Sequence, residues 1–359
     1  MTGAGGEDGP AQLPIALTPG EPAGIGGELT LLAWRAATAK RKRDAKTSIY
    51  LSPGFFAIDD PKRLEGLARH LGLTVPIKVI GSAADAVSAF AQGLPVLPLD
   101  IPAPVTPGRP DPANAPAVLE AVERAVGLVQ GRQAAAIVTN PVHKQTLYSA
   151  GFRHPGHTEY LAELAGASRP PVMMLTCPGL RVVPVTVHQP LKQALASLSR
   201  ASIVHAGRVT AAALAGDFGL ARPRLAVAGV NPHAGENGTL GREEIDIIAP
   251  AVAELIAAGI NASGPAPPDT LFHPSAREGY DAVLCMYHDQ ALIPLKTIDF
   301  EHGVNVTLGL PFVRTSPDHG TALKLAGQGT ASPASLIAAL ALARRMATAR
   351  TATHQQAIA

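Results

Sequence analysis

Cysteine is nearly missing: Cys177 and Cys285 are the only two in 359 residues, far apart and each inside an apolar run, MLTCPGL and AVLCMYH. That excludes a disulfide framework or a zinc knuckle and points to a reduced, cytoplasmic compartment. Aromatic residues reach only 4%, which leaves little material for a base-stacking platform. Charge of one sign is lacking too, since 30 Lys and Arg against 28 Asp and Glu leave +2, too little for a protein that wraps nucleic acid or coats anionic lipid. The basic run Lys40-Arg41-Lys42-Arg43 follows an Ala-rich helical stretch, where cations suit the negative end of the helix dipole, and reads as solvated surface. No window approaches the roughly 18 uninterrupted apolar residues of a membrane helix, and the opening MTGAGGEDGPAQ has acids and glycines where a secretory signal needs a basic start. Residues 1–12 read as a flexible tail. The patterns G-x-x-x-x-G-K-[ST], G-x-S-x-G and C-x-x-C are absent, which sets aside P-loop, serine-hydrolase and thioredoxin-like chemistry. Gly24-Ile25-Gly26-Gly27 follows the first apolar run but lacks the dinucleotide spacing G-x-G-x-x-G.

What is present is ample apolar material, 47% of residues, arranged as short β-branched runs alternating with Ala/Leu-rich runs of helical spacing. PIALT, SIYLS, AAAIVTN, VMML, RVVPVTV, RLAVAGV and AVLCMYH read as strands. Helices are expected near Glu28 to Ala39, at PKRLEGLARHLG and KQTLYSAG, near Ala201 to Ala215, Glu243 to Ala258 and Ser335 to Thr348. This alternation means an α/β protein with parallel sheet, and its length favours two lobes with a cleft over one large sheet. The Pro-rich stretch at about 94 to 116 is the strongest boundary candidate, because repeated proline blocks helix and central strand alike, and SGPAPPD is a softer one.

The twelve histidines are unevenly placed. His188, His233 and His288 each sit at or just past the C-terminal end of an expected strand, the edge where open parallel sheets bind ligands. Three imidazoles there suit one borderline divalent ion, with Asp289 and Glu236 near enough in sequence to orient the rings or compete for the ion. Each taken alone is also an ordinary loop-start histidine satisfied by backbone; the shared placement favours the ligand reading. In HPGHTEYLAELAG, Gly156-His157-Thr158 precedes an amphipathic helix, a position that either receives an anion or merely caps the helix through Thr158. Lys296, Asn305 and Arg314 stand among apolar residues, where a cation is costly unless it faces a solvated or anionic site. Asp318-His319-Gly320-Thr321 forms a turn able to approach a nucleotide closely.

Taken together and in order, TPGEPAGIGGE, VTNPVHK, HPGHTEYLAEL, VNPHAGE, GPAPPDTLF, YHDQALIPLK and GVNVTLGLPFVRTSPDHGTA resemble the motifs of the 4-hydroxythreonine-4-phosphate dehydrogenase family of vitamin B6 biosynthesis, from about Pro14 to Ala343. Glu21 and Gly27 depart from that family's usual Asp and Pro, and YLSPGFFAIDDP replaces its usual short strand and turn. The resemblance implies a two-lobed fold like that of the isocitrate and isopropylmalate dehydrogenases, with an interlobe cleft. It places residues 13–130 plus about 306–359 in one lobe, and about 131–305 in a second lobe carrying metal ligands and dimer contacts. It further implies a homodimer with the active site at the subunit interface, and no nucleic-acid or membrane partner. By the same resemblance His188, His233 and His288 bind one divalent ion (zinc, cobalt, manganese or magnesium), and His157, Thr158, Lys296, Asn305 and Arg314 contact a small phosphorylated hydroxy amino acid. His157 and Lys296 are the expected catalytic groups, and Asp318, His319, Gly320, Thr321 and Ala322 the NAD or NADP contacts. The reaction so implied is NAD(P)-dependent oxidation of 4-phosphohydroxy-L-threonine at its β-hydroxyl with metal-assisted decarboxylation. A four-carbon sugar-acid phosphate or an aromatic dihydrodiol carboxylate is the alternative substrate within the family, and a noncatalytic metal- or anion-binding protein the remote one.

Overall fold

The computed structural model describes residues 12–41, 53–154 and 156–358. The expected tail up to residue 11, the SIYLS strand, and residues 42 and 43 of the basic run lie outside the described residues. Contacts divide the chain into two units, one running to Ser168 and resuming over Leu310–Ala359, the other Arg169–Gly309.

The first unit carries β1 (Ile15–Thr18), β2 (Phe55–Asp59), β3 (Ile77–Val79), β4 (Leu94–Pro98) and β5 (Ile137–Thr139), and its C-terminal part adds a further strand at Arg314–Pro317. All are parallel, in the order β3-β4-β2-β1-β5 and then Arg314–Pro317. β1 and β2 are buried along their whole length, the burial expected of strands covered on both faces. The helices Gly26–Arg41, Pro61–His70 and Ala115–Gln130 follow β1, β2 and β4, and Ala334–Ile358 closes the chain. In the helix Ala115–Gln130 the residues Ala117, Val118, Ala121, Val122, Ala125 and Val126 are buried, a repeat of three and four that turns one face to the core. That core gathers Phe56, Ile58, Val122, Ile137, Tyr160 and Leu161, so the helix His157–Leu164 belongs to this unit.

Two expectations are corrected here. The chain does not leave the first unit near residue 130, because β5 pairs with β1 on one side and with Arg314–Pro317 on the other. Nor is the Pro-rich stretch a boundary: Leu94-Pro95-Val96-Leu97-Pro98 is β4, paired to β2 and β3. Proline is tolerated because Pro95 precedes the β2–β4 register, which begins at Ala57 and Val96, and Pro98 is the last residue of the strand.

At Gly27, a departure from the family pattern, a Cβ would lie 2.9 Å from Arg63 Nη1 and 2.9 Å from Leu67 Cδ2. Arg63 fills that space because its guanidinium is paired with buried Asp59 and donates to the carbonyl of Pro22 at 3.1 Å. The missing side chain at 27 is thus matched by a bulky cation from the next helix.

The second unit contains β6 (Val172–Cys177), β7 (Leu180–Pro184), β8 (Arg224–Ala228), β9 (Asn261–Ala266), β10 (Ala282–Cys285) and β11 (Val304–Leu308), so the earlier strand Arg314–Pro317 becomes β12 in chain order. The order is β11-β6-β7-β10-β8-β9. This sheet is mixed rather than wholly parallel, since β6 runs antiparallel to both β7 and β11. The two-residue connection Pro178-Gly179 explains it, being too short for a crossover and sufficient for a hairpin. β7, β10 and β8 are mutually parallel, and β9 extends them, running into the SGPAPPD stretch that had been a softer boundary candidate. Cys177 and Cys285 are both free and buried in this unit, Cys285 at 0% exposure on β10.

Replacing Phe56, fully buried in the first core, by alanine is expected to destabilise that unit by about 3–5 kcal/mol, read as a lower midpoint in denaturant at unchanged slope.

Candidate functional site

In the first unit, His157 and Thr158 are the first two residues of the helix His157–Leu164. The N-cap is Gly156 and no side chain caps the helix, so the capping role weighed for Thr158 is not the one it has. His157 Nε2 is buried and has no hydrogen-bond partner among the described residues. Burial, and secondarily the Arg314 guanidinium, push its pKa down to about 3, so the ring is neutral at physiological pH. Arg314 opens β12 and is 5% exposed; its Nη2 donates to Thr139 Oγ1, at the end of β5, at 2.6 Å. Burial lowers its own pKa to about 10, which leaves the cation intact and poorly hydrated.

The Asp318–Ala322 turn lies beyond β12 in the same unit. The Asp318 amide donates to Ser335 Oγ at 3.1 Å, and the Thr321 carbonyl accepts from the Ile25 amide at 3.1 Å. Ala322 has φ +44°, a left-handed residue that turns the chain back. A Cβ on Gly24 would sit 2.9 Å from the Thr321 carbonyl oxygen, so the glycines after β1 serve as a close-fitting floor for this turn. Glu28, 1% exposed, accepts from the Gly327 amide at 3.0 Å, and the amides of Gly329 and Ala331 also favour its carboxylate against the upward push of burial.

In the second unit, parallel pairing of β7, β10 and β8 delivers the loops carrying His188, His288 and His233 from the same ends of three neighbouring strands. The rings of His188 and His288 lie 5.7 Å apart, centroid to centroid. They face an open pocket of about 330 Å³ lined also by Thr186, Gln189, Leu191 and Tyr287. His288 Nδ1 is 2.7 Å from Asp289 Oδ1, a contact that favours the tautomer whose Nε2 lone pair is available to a metal. Two oriented imidazoles on an open pocket fit a borderline divalent ion. Among the described residues no group of three His, Cys, Asp or Glu side chains is gathered closely enough to hold a metal, so His233 does not join the pair within one chain.

His233 lies in a run of left-handed residues, His233, Ala234, Gly235, Glu236 and Asn237, with φ between 44° and 82°. Such backbone costs about 1–2 kcal/mol per non-glycine residue and persists only where its surroundings impose it. The acid that holds the start of this loop is Glu244 rather than Glu236: its Oε1 accepts from the amides of Val230 and Asn231 at 2.7 and 2.8 Å, and its Oε2 from Asn231 Nδ2 at 2.9 Å. These bonds outweigh burial and hold its carboxyl below the usual range. Lys296, on the helix His288–Ile298, is half-buried with Nζ 5.2 Å from the Phe300 ring centroid. Asn305, on β11, keeps a buried Oδ1 with no partner among the described residues. Glu244, Glu28 and Gln290 were not singled out from sequence; a lone acid or amide on a helix carries no local pattern, and only the loop it binds reveals its part.

A two-unit α/β build with its functional loops at parallel strand ends defines an α/β protein of the isocitrate and isopropylmalate dehydrogenase type. The family model for pyridoxal phosphate biosynthetic protein PdxA matches residues 53–343. A curated 4-hydroxythreonine-4-phosphate dehydrogenase from Bradyrhizobium diazoefficiens is 52% identical over 95% of this chain and 99% of its own length. The crystal structure of 4-hydroxythreonine-4-phosphate dehydrogenase from Klebsiella pneumoniae aligns with a TM-score of 0.81 at 37% identity, covering 93% of this chain and 99% of that one. A terephthalate 1,2-cis-dihydrodiol dehydrogenase from Burkholderia xenovorans aligns with a TM-score of 0.61 at 27% identity over 93% of this chain and 98% of its own. The chain belongs to the PdxA family.

The depressed pKa of His157 has a definite consequence for stability. Between pH 6.5 and about 3 the unfolded chain takes up a proton that the folded ring refuses, so this contribution is complete above pH 6.5 and declines as pH falls. His157→Gln is expected to flatten the acid limb of the stability profile, and the wild-type imidazole nitrogen shifts, followed by NMR from pH 8 to 5, are expected to stay those of a neutral ring.

Proposed function

We propose that this protein oxidises 4-phosphohydroxy-L-threonine at its β-hydroxyl with NAD(P)+ and releases CO2, giving 3-amino-1-hydroxyacetone phosphate for pyridoxal phosphate biosynthesis. Family membership supports the activity, and one observation carries the assignment of the site: a neutral His157 with a buried, unpartnered Nε2 under the influence of the buried Arg314 cation. A neutral imidazole can hydrogen-bond a substrate hydroxyl or phosphate without repelling the cation, and Arg314 supplies the charge that an anionic group needs. Thr158 and Asn305 are the remaining polar contacts. Asp318, His319, Gly320, Thr321 and Ala322 receive the dinucleotide on the floor formed by Gly24 and Ile25.

His188 and His288, with His233, are the residues that would hold one divalent ion, zinc, cobalt, manganese or magnesium; imidazole donors favour the transition metals over magnesium. When bound, the ion would supply Lewis acidity at the oxygen of the hydroxyl being oxidised, and the dinucleotide would supply the hydride acceptor. Lys296 takes the hydroxyl proton as the hydride leaves and returns it to the carbon from which CO2 departs, so no net proton is produced. Since the three histidines are not gathered within one chain, the ligand set is completed in a homodimer. Exposed Leu191, Ile293 and Phe300 in the second unit, at 61%, 65% and 74%, are suitable material for its interface. No described helix is long and apolar enough to cross a membrane, and two free buried thiols agree with a reducing, cytoplasmic setting.

The purified protein is expected to reduce NAD+ or NADP+ when given 4-phosphohydroxy-L-threonine, with matching CO2 release and loss of both signals on chelation. Reduction only with a sugar-acid phosphate or a dihydrodiol carboxylate would assign the alternative substrate class, and no turnover with any of them the noncatalytic reading. Lys296→Ala is expected to lower kcat by about 10²–10⁴ with little change in KM, measured by steady-state kinetics. Sedimentation equilibrium is expected to give twice the 36.9 kDa chain mass.

A further inference from the structure

Behind the histidine loops of the second unit runs a chain of buried hydrogen bonds that none of the roles above uses. Thr186, 6% exposed and two residues before His188, donates its hydroxyl to the Met286 carbonyl at 2.8 Å. Met286 is two residues before His288, and its amide donates at 2.6 Å to Oε1 of Gln290, itself 6% exposed and two residues past His288. Gln290 Nε2 then donates at 2.7 Å to the carbonyl of Gly229, the first residue after β8 on the loop that leads to His233. The next two amides, of Val230 and Asn231, are those held by Glu244.

The β ladder ends one residue short of this region on β10 and β8, so the loops beyond would be free to splay unless something else joined them. A primary amide is the side chain that can do so, because it accepts from one backbone and donates to another at a fixed separation. Burial makes each bond costly to lose, since the stranded amide or carbonyl would have no water to turn to.

We propose that Gln290, seconded by Thr186, is a positioning residue for the metal: within each subunit it holds in place the loops from which His188, His288 and His233 are presented to a site shared with the partner subunit. The proposal rests on the reading of those histidines as ligands. Gln290 touches no substrate or ion; it acts through the backbone at Met286 and Gly229. It leaves the fold of the sheet to the β ladder and governs only the loops past its end.

The test is cobalt(II) binding to the full-length, metal-stripped protein, followed by visible absorption and by competition with a chelator, beside thermal unfolding of the metal-free form. Wild type is expected to bind, and His288→Ala to lose binding. Gln290→Met, which keeps length and removes both bonds, is expected to weaken cobalt affinity by about 10–100-fold and to alter the absorption envelope. Thr186→Val, which removes one hydroxyl at constant shape, is expected to shift affinity and spectrum in the same direction, and the double variant by less than the product of the two. Wild-type affinity and spectrum in both single variants, with His288→Ala defective, would overturn the positioning role even if their unfolding temperatures fell. Should Gln290→Met fail to fold, Thr186→Val decides alone. Wild-type cobalt binding by His288→Ala would instead overturn the ligand reading itself.

Discussion

Parallel pairing is the constraint on which the rest of this molecule depends. A strand that pairs in parallel with its neighbour must send the chain away and back, and all such strands open their C-terminal ends on one side. In the first unit this puts the segments after β1 and β5 side by side, where the Glu21 amide donates to the Pro141 carbonyl at 2.9 Å. In the second it sets the loops after β7, β10 and β8 in a row. Side-chain chemistry at these ends is therefore cheap to assemble, but the backbone there has left the ladder and must find other partners. Glu28, Glu244, Thr186 and Gln290 are those partners, each buried and each spent on main-chain groups of a loop.

The same accounting explains what could be read from the sequence. β1, β7, β8 and β10 were legible because continuous β-branched runs are what doubly covered parallel strands require, and the histidines stood out as polar residues ending such runs. β4 was not, since its prolines argue against a strand until their places at the ends of its paired stretch are known. The antiparallel turn of β6 onto β7 hid in a Pro-Gly pair between apolar runs that parallel strands would also show. β11 and β12 were obscured by the polar residues they carry, Asn305 and Arg314, whose presence within strands is itself a mark of use.

For the site, residue type was legible and support was not. His157 and Arg314 could be picked out as polar groups in apolar company, yet that the first is kept neutral partly by the second depends on the chain returning to the first unit at Leu310 after building the whole of the second. Glu236 was the acid nearest His233 along the chain, but Glu244 is the one that holds the loop's main chain, because the helix after the left-handed turn brings it back to Val230 and Asn231. Sequence distance ranks candidates poorly wherever a loop folds back onto the helix that follows it.

The two thiols also have a use that concerns observation rather than catalysis. Burial raises the Cys177 pKa to about 11 and carries that of Cys285 higher still, so neither is a ready nucleophile in the folded protein. Both belong to the second unit, and the chain has no other cysteine. An alkylating reagent applied in native buffer therefore acts as a stopwatch on one half of the molecule: each label records an opening of the Arg169–Gly309 unit, while openings confined to the first unit leave no mark.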